Sequence, residues 1–420
     1  MEIFERQLRG EVEKIISQRP LVYVNGPRQT GKSTFAQAFF SDKETNYITF
    51  DSPLILSGAR TDPANFIKSL SNDKLNIIDE IQMAPEIFPY LKMAIDERRF
   101  KDETSCLYLL TGSANLLALP SLAQALVGRM SVITLLPFSS SEYKRAGINF
   151  INKLFDDELS YHKYGGYDLI DIIVNATFPE IAVHHNIDKI KWMDDYLTTL
   201  LERDVKNVAD IKNTDKIIML LSVLSMRAGG LINNVAVASE IGLDNKTYER
   251  YKSAIINTFI IFELPAWAKP ARLNKRFTKS AKLFFNDTNL LAYVMRRDIS
   301  EIYKNKETIM GHLFENFIAS EIMKNACSLT NVSVSHFRTI DNKEVDFVIE
   351  RAQGETIGIE VKLDCVVNEN DFKGLKVLKN AVGEEFKKGI VIYTGNEIVA
   401  MGERFWAVPV CFLQGGVFEK

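Results

Sequence analysis

The chain has 420 residues, of which 46% are hydrophobic and 25% charged, and 51 Lys plus Arg stand against 54 Asp plus Glu for a formal net charge of −3. This mix excludes a disordered, collagen-like or disulfide-stapled chain, and at about 150 residues per domain it predicts two to four domains. It also excludes a polycation, so any nucleic-acid contact has to come from a local basic patch.

The N-terminus, Met-Glu-Ile-Phe-Glu-Arg, carries two acids and no apolar run, so it does not read as a signal peptide. The uncharged run Leu21–Asn25 predicts a strand buried on both faces. It leads into Gly26-Pro27-Arg28-Gln29-Thr30-Gly31-Lys32-Ser33 and a helix-like segment opening at Thr34. This is G-x-x-x-x-G-K-[ST] with a strand before it and a helix after it. Glycines let such a loop turn its N–H groups around phosphate oxygens, and the following helix adds its N-terminal dipole. Gly26 to Thr34 are therefore the expected ATP-binding residues, with Lys32 on the β- and γ-phosphates and the Ser33 hydroxyl on Mg²⁺. A second apolar strand ends in Asp79-Glu80. Ligands of open α/β sheets bind at strand carboxyl ends, so Asp79 is expected to help hold Mg²⁺ and Glu80 to polarise the attacking water.

The stretch 104–128 has no charge and is long enough to cross a bilayer. Thr111-Gly112-Ser113-Ala114-Asn115 and Pro120-Ser121 interrupt it, so it reads as a strand, a polar turn and a short helix, with no membrane contact. Ser113 and Asn115 are both candidates for contacting the γ-phosphate or the water, and the sequence does not choose between them. Arg129, after Gly128, has two readings. It stabilises transition-state charge, in its own subunit or across a homo-oligomeric ring, or it forms a plain salt bridge. Arg203 is a second arginine candidate.

Residues 148–210 read as mostly helical, a lid or connector. An apolar helix from Lys216, a second from Asn234 to Glu240, Gly242 as a turn and a third helix capped by Asp244 precede a strand at 259–264. That is winged-helix order. Residues 269–282 hold Lys269, Arg272, Lys275, Arg276, Lys279 and Lys282 and no acid. A basic wing of this kind suits the phosphate backbone of DNA or RNA, or is simply a solvated loop. Further on, Asp346 and Glu360-Val361-Lys362 lie on two strands of an expected hairpin, in the pattern D-x₁₃-E-x-K of restriction-endonuclease-like folds. Glu360 and Lys362 share a face, and Asp346 can meet Glu360 across the hairpin. Asp346 and Glu360, with Glu315 from an upstream helix, are expected to hold a hard divalent ion, and Lys362 to orient water. The four cysteines are scattered and only five histidines accompany them. No structural zinc site is expected, and the thiols suit a reduced, cytoplasmic setting.

Gly26 to Ser33, Asp79-Glu80-Ile81-Gln82-Met83-Ala84-Pro85, Leu110-Thr111-Gly112-Ser113, and Gly128-Arg129 followed by Leu136-Pro137-Phe138-Ser139 occur in this order. Together they closely resemble prokaryotic AAA-type ATPases that carry the C-terminal domain of unknown function 4143, along the whole chain. The resemblance implies an α/β, AAA-like P-loop core with a parallel sheet and supports the roles of Lys32, Ser33, Asp79 and Glu80. The expected division is an ATPase core (1–145), a helical connector (146–212), a winged-helix domain (213–300) and a restriction-endonuclease-like domain (301–420). The function expected is Mg²⁺-dependent ATP hydrolysis coupled to a nucleic-acid-directed arm. Two other readings are an ATP-regulated Mg²⁺-dependent nuclease and a nucleotide-gated adaptor that does not hydrolyse.

Overall fold

A computed structural model describes residues 3–40, 44–71, 73–100, 106–113, 126, 128–156, 159–205, 214–268 and 280–415. The chain divides into two compact units, Met1–Leu136 with Asn257–Phe259, and Pro137–Ile256 with Ile260–Lys420.

The first unit is built on β1 (Leu21–Asn25), β2 (Thr45–Thr49), β3 (Leu75–Asp79), β4 (Tyr108–Thr111) and β5 (Met130–Thr134). They pair in the order β2-β3-β4-β1-β5, every pair parallel. The three central strands β1, β3 and β4 are buried at every position, which is why they read as unbroken apolar runs rather than as alternating ones. Side chains of a strand alternate between faces. Leu21 and Tyr23 accordingly join one core with Ile78, Phe88, Leu91 and Leu110. Val22 and Val24 join the other with Phe35, Ile77 and Leu109. Because all strands run the same way, the carboxyl ends of β1, β4 and β3 lie side by side at one edge, with β4 in the middle.

The second unit carries a seven-stranded mixed sheet and a two-stranded ribbon. Its strands are β6 (His162–Lys163), β7 (Ile261–Leu264), β8 (Lys282–Phe285), β9 (Ser333–Arg338), β10 (Glu344–Glu350), β11 (Thr356–Lys362), β12 (Phe386–Tyr393), β13 (Glu397–Gly402) and β14 (Phe405–Pro409). The large sheet has the order β6-β13-β14-β12-β11-β10-β9, and β7-β8 is the antiparallel ribbon. The short helix Ser140–Tyr143 comes first, then the helices Phe150–Asp156, Leu169–Asn175, Pro179–Val183 and Lys189–Thr199, the last running on into a wider turn at Leu200–Val205. Helices Thr214–Ser225, Asn234–Glu240 and Asn245–Asn257 then precede the ribbon. Asp244 caps the third of these by accepting from the Thr247 N–H at 3.0 Å. The long helix α1 (Ile309–Ala326) precedes β9, β10 and β11, and the helix Lys373–Val382 separates β11 from β12.

The Leu-Pro-Phe-Ser stretch has a structural use. Ser139 caps the short helix Ser140–Tyr143 in a capping box with Glu142. Ser140 then donates its N–H (3.0 Å) and its hydroxyl (2.6 Å) to the carboxylate of Glu321 on α1. Glu321 is fully buried, and Lys324 completes the group by donating to it at 3.3 Å and to the Ala176 carbonyl at 2.8 Å. No helix among the described residues is long and apolar enough to cross a membrane. Residues 104–105, 114–125 and 127 of the uncharged stretch lie outside the described residues; the part on view is β4 and its tip.

Glu321→Ala strands the Lys324 ammonium and both Ser140 donors in the interior. It should destabilise the second unit by about 3–5 kcal/mol, read as a lower denaturation midpoint in guanidinium. Ser140→Ala, which keeps the N–H bond, should cost no more than about 1.5–3 kcal/mol.

Candidate active site

The loop after β1 is shaped by two glycines. At Gly26 (φ +144°) a Cβ would sit 2.2 Å from the Leu135 carbonyl oxygen, so only glycine lets β1 and the end of β5 approach this closely. Gly31 (φ +82°) stands immediately before the helix Lys32–Phe39, with nothing within 4 Å of where a Cβ would be. Thr30 braces the loop from inside, its hydroxyl donating to the Pro27 carbonyl at 3.0 Å. Arg6 braces it from behind, donating to the carbonyls of Thr30 (2.9 Å) and Leu136 (2.5 Å). Lys32 is 6% exposed, and its ammonium donates to the carbonyls of Pro27 (2.7 Å) and Gly26 (3.2 Å). The cation is thus folded over the loop it would use to grip a phosphate. Ser33 and Arg28 are half-buried, and Gln29 and Thr34 exposed.

Asp79 closes β3 with both carboxylate oxygens engaged. Oδ2 accepts from Tyr47 Oη at 2.7 Å, and Oδ1 accepts from Thr111 Oγ1 at the end of β4. The next residue, Glu80, has φ +55°. A non-glycine residue in the left-handed region costs of order 1 kcal/mol or more and marks a site held there by its surroundings. Gln82 ties Glu80 to the tip of β4, since its Nε2 donates to Glu80 Oε2 and to Ser113 Oγ at 3.1 Å. Gly112 makes room for this, because a Cβ there would lie 2.5 Å from Gln82 Oε1 and 2.8 Å from Tyr23 Oη. Gln82 Oε1 is buried with no hydrogen-bond partner, an unmet acceptor at the strand tips. Burial pushes the Glu80 carboxyl above the ordinary carboxylate range. The Gln82 hydrogen bond and the charge of Lys32 pull it down, and Asp79 raises it again.

The sequence-predicted residues Gly26 to Thr34, Asp79, Glu80 and Ser113 therefore come from three adjacent strand tips. Asn115 lies outside the described residues. Arg129 is engaged elsewhere. Its Nε donates to Asp96 Oδ1 at 2.6 Å and its Nη2 to Oδ2 at 2.9 Å, a two-pronged salt bridge. Arg203 is exposed on the Leu200–Val205 turn of the second unit. Thr111 stands in the Leu-Thr-Gly-Ser stretch, but Tyr47 and Arg6 carried no local signal. Gln82 did, standing two residues after Glu80 in the Asp-Glu-Ile-Gln-Met-Ala-Pro stretch.

In the second unit Asp346 does meet β11, since Phe347 pairs with Ile359 and Asp346 Oδ2 accepts the Val361 N–H at 3.0 Å. Lys362 Nζ lies 3.6 Å from Glu360 Oε1 and 4.0 Å from Asp371 Oδ1. Two expectations are corrected here. Lys282, taken as the last cation of a solvent-facing basic segment, is 4% exposed and donates to Glu315 Oε1 and Asp346 Oδ1, both at 3.0 Å. The rest of that segment, 269–279, lies outside the described residues. The carboxylates expected to hold a metal ion do not fit one in this arrangement, because the ammonium stands between Glu315 and Asp346. Among the described residues no group of three or more His, Cys, Asp or Glu is disposed to hold a metal. Burial, and then the charge of Asp346, pushes Glu315 and Glu360 above the ordinary carboxylate range. Burial alone would lower Lys282, but Asp346, Glu315 and Glu344 outweigh it and hold Lys282 above the usual lysine value.

A parallel sheet with a glycine-lysine loop on one strand tip and an Asp-Glu pair on another is the fold of a P-loop ATPase core, and comparison with known proteins agrees. Residues 18–144 match the family described as AAA domain. Residues 310–413 match the Domain of unknown function (DUF4143), and 166–323 the Domain of unknown function (DUF8612). The chain carries an AAA-type ATPase domain joined to a DUF4143 C-terminal domain. Uncharacterized protein Rv2008c of Mycobacterium tuberculosis is 25% identical over 411 residues, covering 97% of this chain and 84% of that protein. Uncharacterized protein Mb2031c of Mycobacterium bovis matches to the same extent. Among solved structures, a Walker-type ATPase of Pyrococcus abyssi is 14% identical, with 70% of this chain and 96% of that one covered and a TM-score of 0.39. A RuvB variant of Thermotoga maritima is 19% identical over 62% of this chain and 88% of its own, with a TM-score of 0.30. Likenesses this loose carry no functional detail.

The raised pKa of Glu80 has a stability consequence. Its proton is held more tightly in the folded state than in the unfolded one, so the stability it brings is full below the unfolded carboxylate pKa and is lost as pH rises through the folded value. The ionised, half-buried Glu80 is a cost at neutral pH that Glu80→Gln removes while keeping the acceptor for Gln82. The variant should melt a few degrees above wild type at pH 8, with the gap closing toward pH 5 in thermal melts across that range.

Proposed function

We propose that the first unit binds and hydrolyses ATP, and that its nucleotide state governs the second unit, an arm of winged-helix and restriction-endonuclease-like build directed at DNA. The observation that carries the ATPase reading is the meeting of the Lys32 loop, Ser113 and the Asp79-Glu80 pair at three adjacent strand tips. In this reading the N–H groups of Gly26 to Ser33 and the first turn of the following helix bind the phosphates, and Lys32 swings from the Pro27 and Gly26 carbonyls onto them. The cradle fits such a group, with open space over Gly31 and a buried ammonium within it. Ser33 and Asp79 are hard oxygen donors of the kind Mg²⁺ takes, Asp79 through water because both its oxygens are already engaged. Bound there, Mg²⁺ would neutralise charge on the phosphates. Glu80, ionised and held by Gln82, orients the attacking water, and Ser113 reports on the γ-phosphate through the same glutamine.

For the arm, three short helices followed by an antiparallel ribbon support the winged-helix reading, and α1-β9-β10-β11, a helix and β12 support the nuclease-like one. The divisions at 212 and 300 are proposed on the same grounds. The basic segment 269–279 is the part of the arm offered to a phosphate backbone. No disulfide is formed by the four cysteines among the described residues, which suits a reducing, cytoplasmic setting.

Phosphate release by the full-length protein with Mg²⁺ tests this. Lys32→Ala should lose at least tenfold in nucleotide affinity and with it all turnover. Glu80→Gln should keep affinity and lose about 10²–10⁴ in kcat, the usual worth of a positioned proton acceptor. Duplex DNA should change the wild-type rate. Unchanged affinity and turnover in Lys32→Ala would end the proposal, and tight binding of ATP without hydrolysis would favour the gated adaptor.

A further inference from the structure

Lys282 is delivered to the carboxylates by a backbone held on both edges. It pairs with Leu264 of β7 on one side and bridges Leu231 on the other. The neighbouring bonds continue that second edge, with the Gly229 N–H donating to the Leu283 carbonyl at 2.8 Å and the Leu283 N–H to Gly230 at 3.2 Å. The acids come from elsewhere, Glu315 from α1 and Asp346 and Glu344 from β10. The ammonium lies 3.0 Å from Glu315 and Asp346 and 3.7 Å from Glu344. Glu360 stands across the hairpin from Asp346, with one carboxylate oxygen buried and without a hydrogen-bond partner.

A divalent ion needs carboxylate oxygens at about 2.0–2.6 Å. An ammonium with three donors satisfies the same oxygens at hydrogen-bond distance and repels a second cation at close range. We infer that Lys282 is a built-in cation that takes the place of a divalent metal ion among Glu315, Asp346 and Glu360, so that the native site takes no metal and loss of the ammonium turns it into one. The boundary read at residue 300 thus runs through a single ion cluster, with the ribbon supplying the cation and α1 and β10 the anions. This stands apart from the ATPase reading, because none of the residues belongs to the first unit.

Mn²⁺ titration of the nucleotide-free, full-length protein, followed by electron paramagnetic resonance of the free ion, tests it. Wild type and Asp346→Asn should bind Mn²⁺ indistinguishably. Lys282→Met should gain one Mn²⁺ per chain and melt higher when Mn²⁺ is added, and Lys282→Met/Asp346→Asn should lose both effects. Wild-type Mn²⁺ binding that Asp346→Asn abolishes would overturn the inference, and so would a folded Lys282→Met that binds no more than wild type. If Lys282→Met does not fold, the comparison of wild type with Asp346→Asn decides alone. A check without variants is Fe²⁺-driven hydroxyl-radical scission of the wild-type backbone. Breaks beside Asp346 or Glu360 would count against the built-in cation, and their absence for it.

Discussion

A parallel sheet has one consequence that everything in the first unit depends on: all its strands deliver their carboxyl ends to the same edge. With the order β2-β3-β4-β1-β5, the tip of β4 falls between those of β1 and β3. The phosphate-type loop and the acid pair then sit one strand apart, and any residue at the tip of β4 lies between them. Thr111, Gly112 and Ser113 are that tip. One binds Asp79, one makes room for Gln82, and one shares Gln82 with Glu80. At Gly112 a small residue is what the position requires, because even a Cβ would run into Gln82 and Tyr23.

Much of this was legible in the chain because burial on both faces leaves a continuous apolar run, and a run followed by Gly-Lys-Ser or by Asp-Glu declares both a strand and what its tip carries. What was not legible depends on register across strands. Tyr47 reaches Asp79 because Thr49 pairs with Asp79 in β2-β3, and no feature near Tyr47 in the sequence announces it. Arg6 reads as one more charge in the Met-Glu-Ile-Phe-Glu-Arg start of the chain, yet it is buried and holds the back of the loop. Arg129 shows the converse, for its place after Gly128 left chemistry and a salt bridge both open, while its partner Asp96, on the helix Phe88–Phe100, was set by packing.

Lys282 makes the same point about charge. Counting along the chain put it with five other cations in a segment without acids. In a strand, however, neighbours do not share a face, and a lysine in β8 with backbone on both edges has its direction fixed by pairing rather than by solvation. Linear charge density describes a field outside the protein. It says nothing about Lys282, which the fold turns inward to face Glu315 and Asp346.

Three sets of carboxylates among the described residues meet the cost of burial in different ways. Glu321 is surrounded by Ser140 and Lys324, all inside one packed unit, and nothing is left for a ligand to satisfy. Glu315 and Asp346 are neutralised by an ammonium from another element, so their electrostatic need is met without a partner from solution. Glu80 alone combines left-handed backbone, a raised pKa and a neighbouring amide oxygen with no donor. Strain and unmet polarity persist in a folded protein only where something outweighs them. In the first two groups each carboxylate has an ammonium within hydrogen-bond reach, whereas Glu80 is held by the Gln82 amide, whose own oxygen has no partner, and feels Lys32 as a charge.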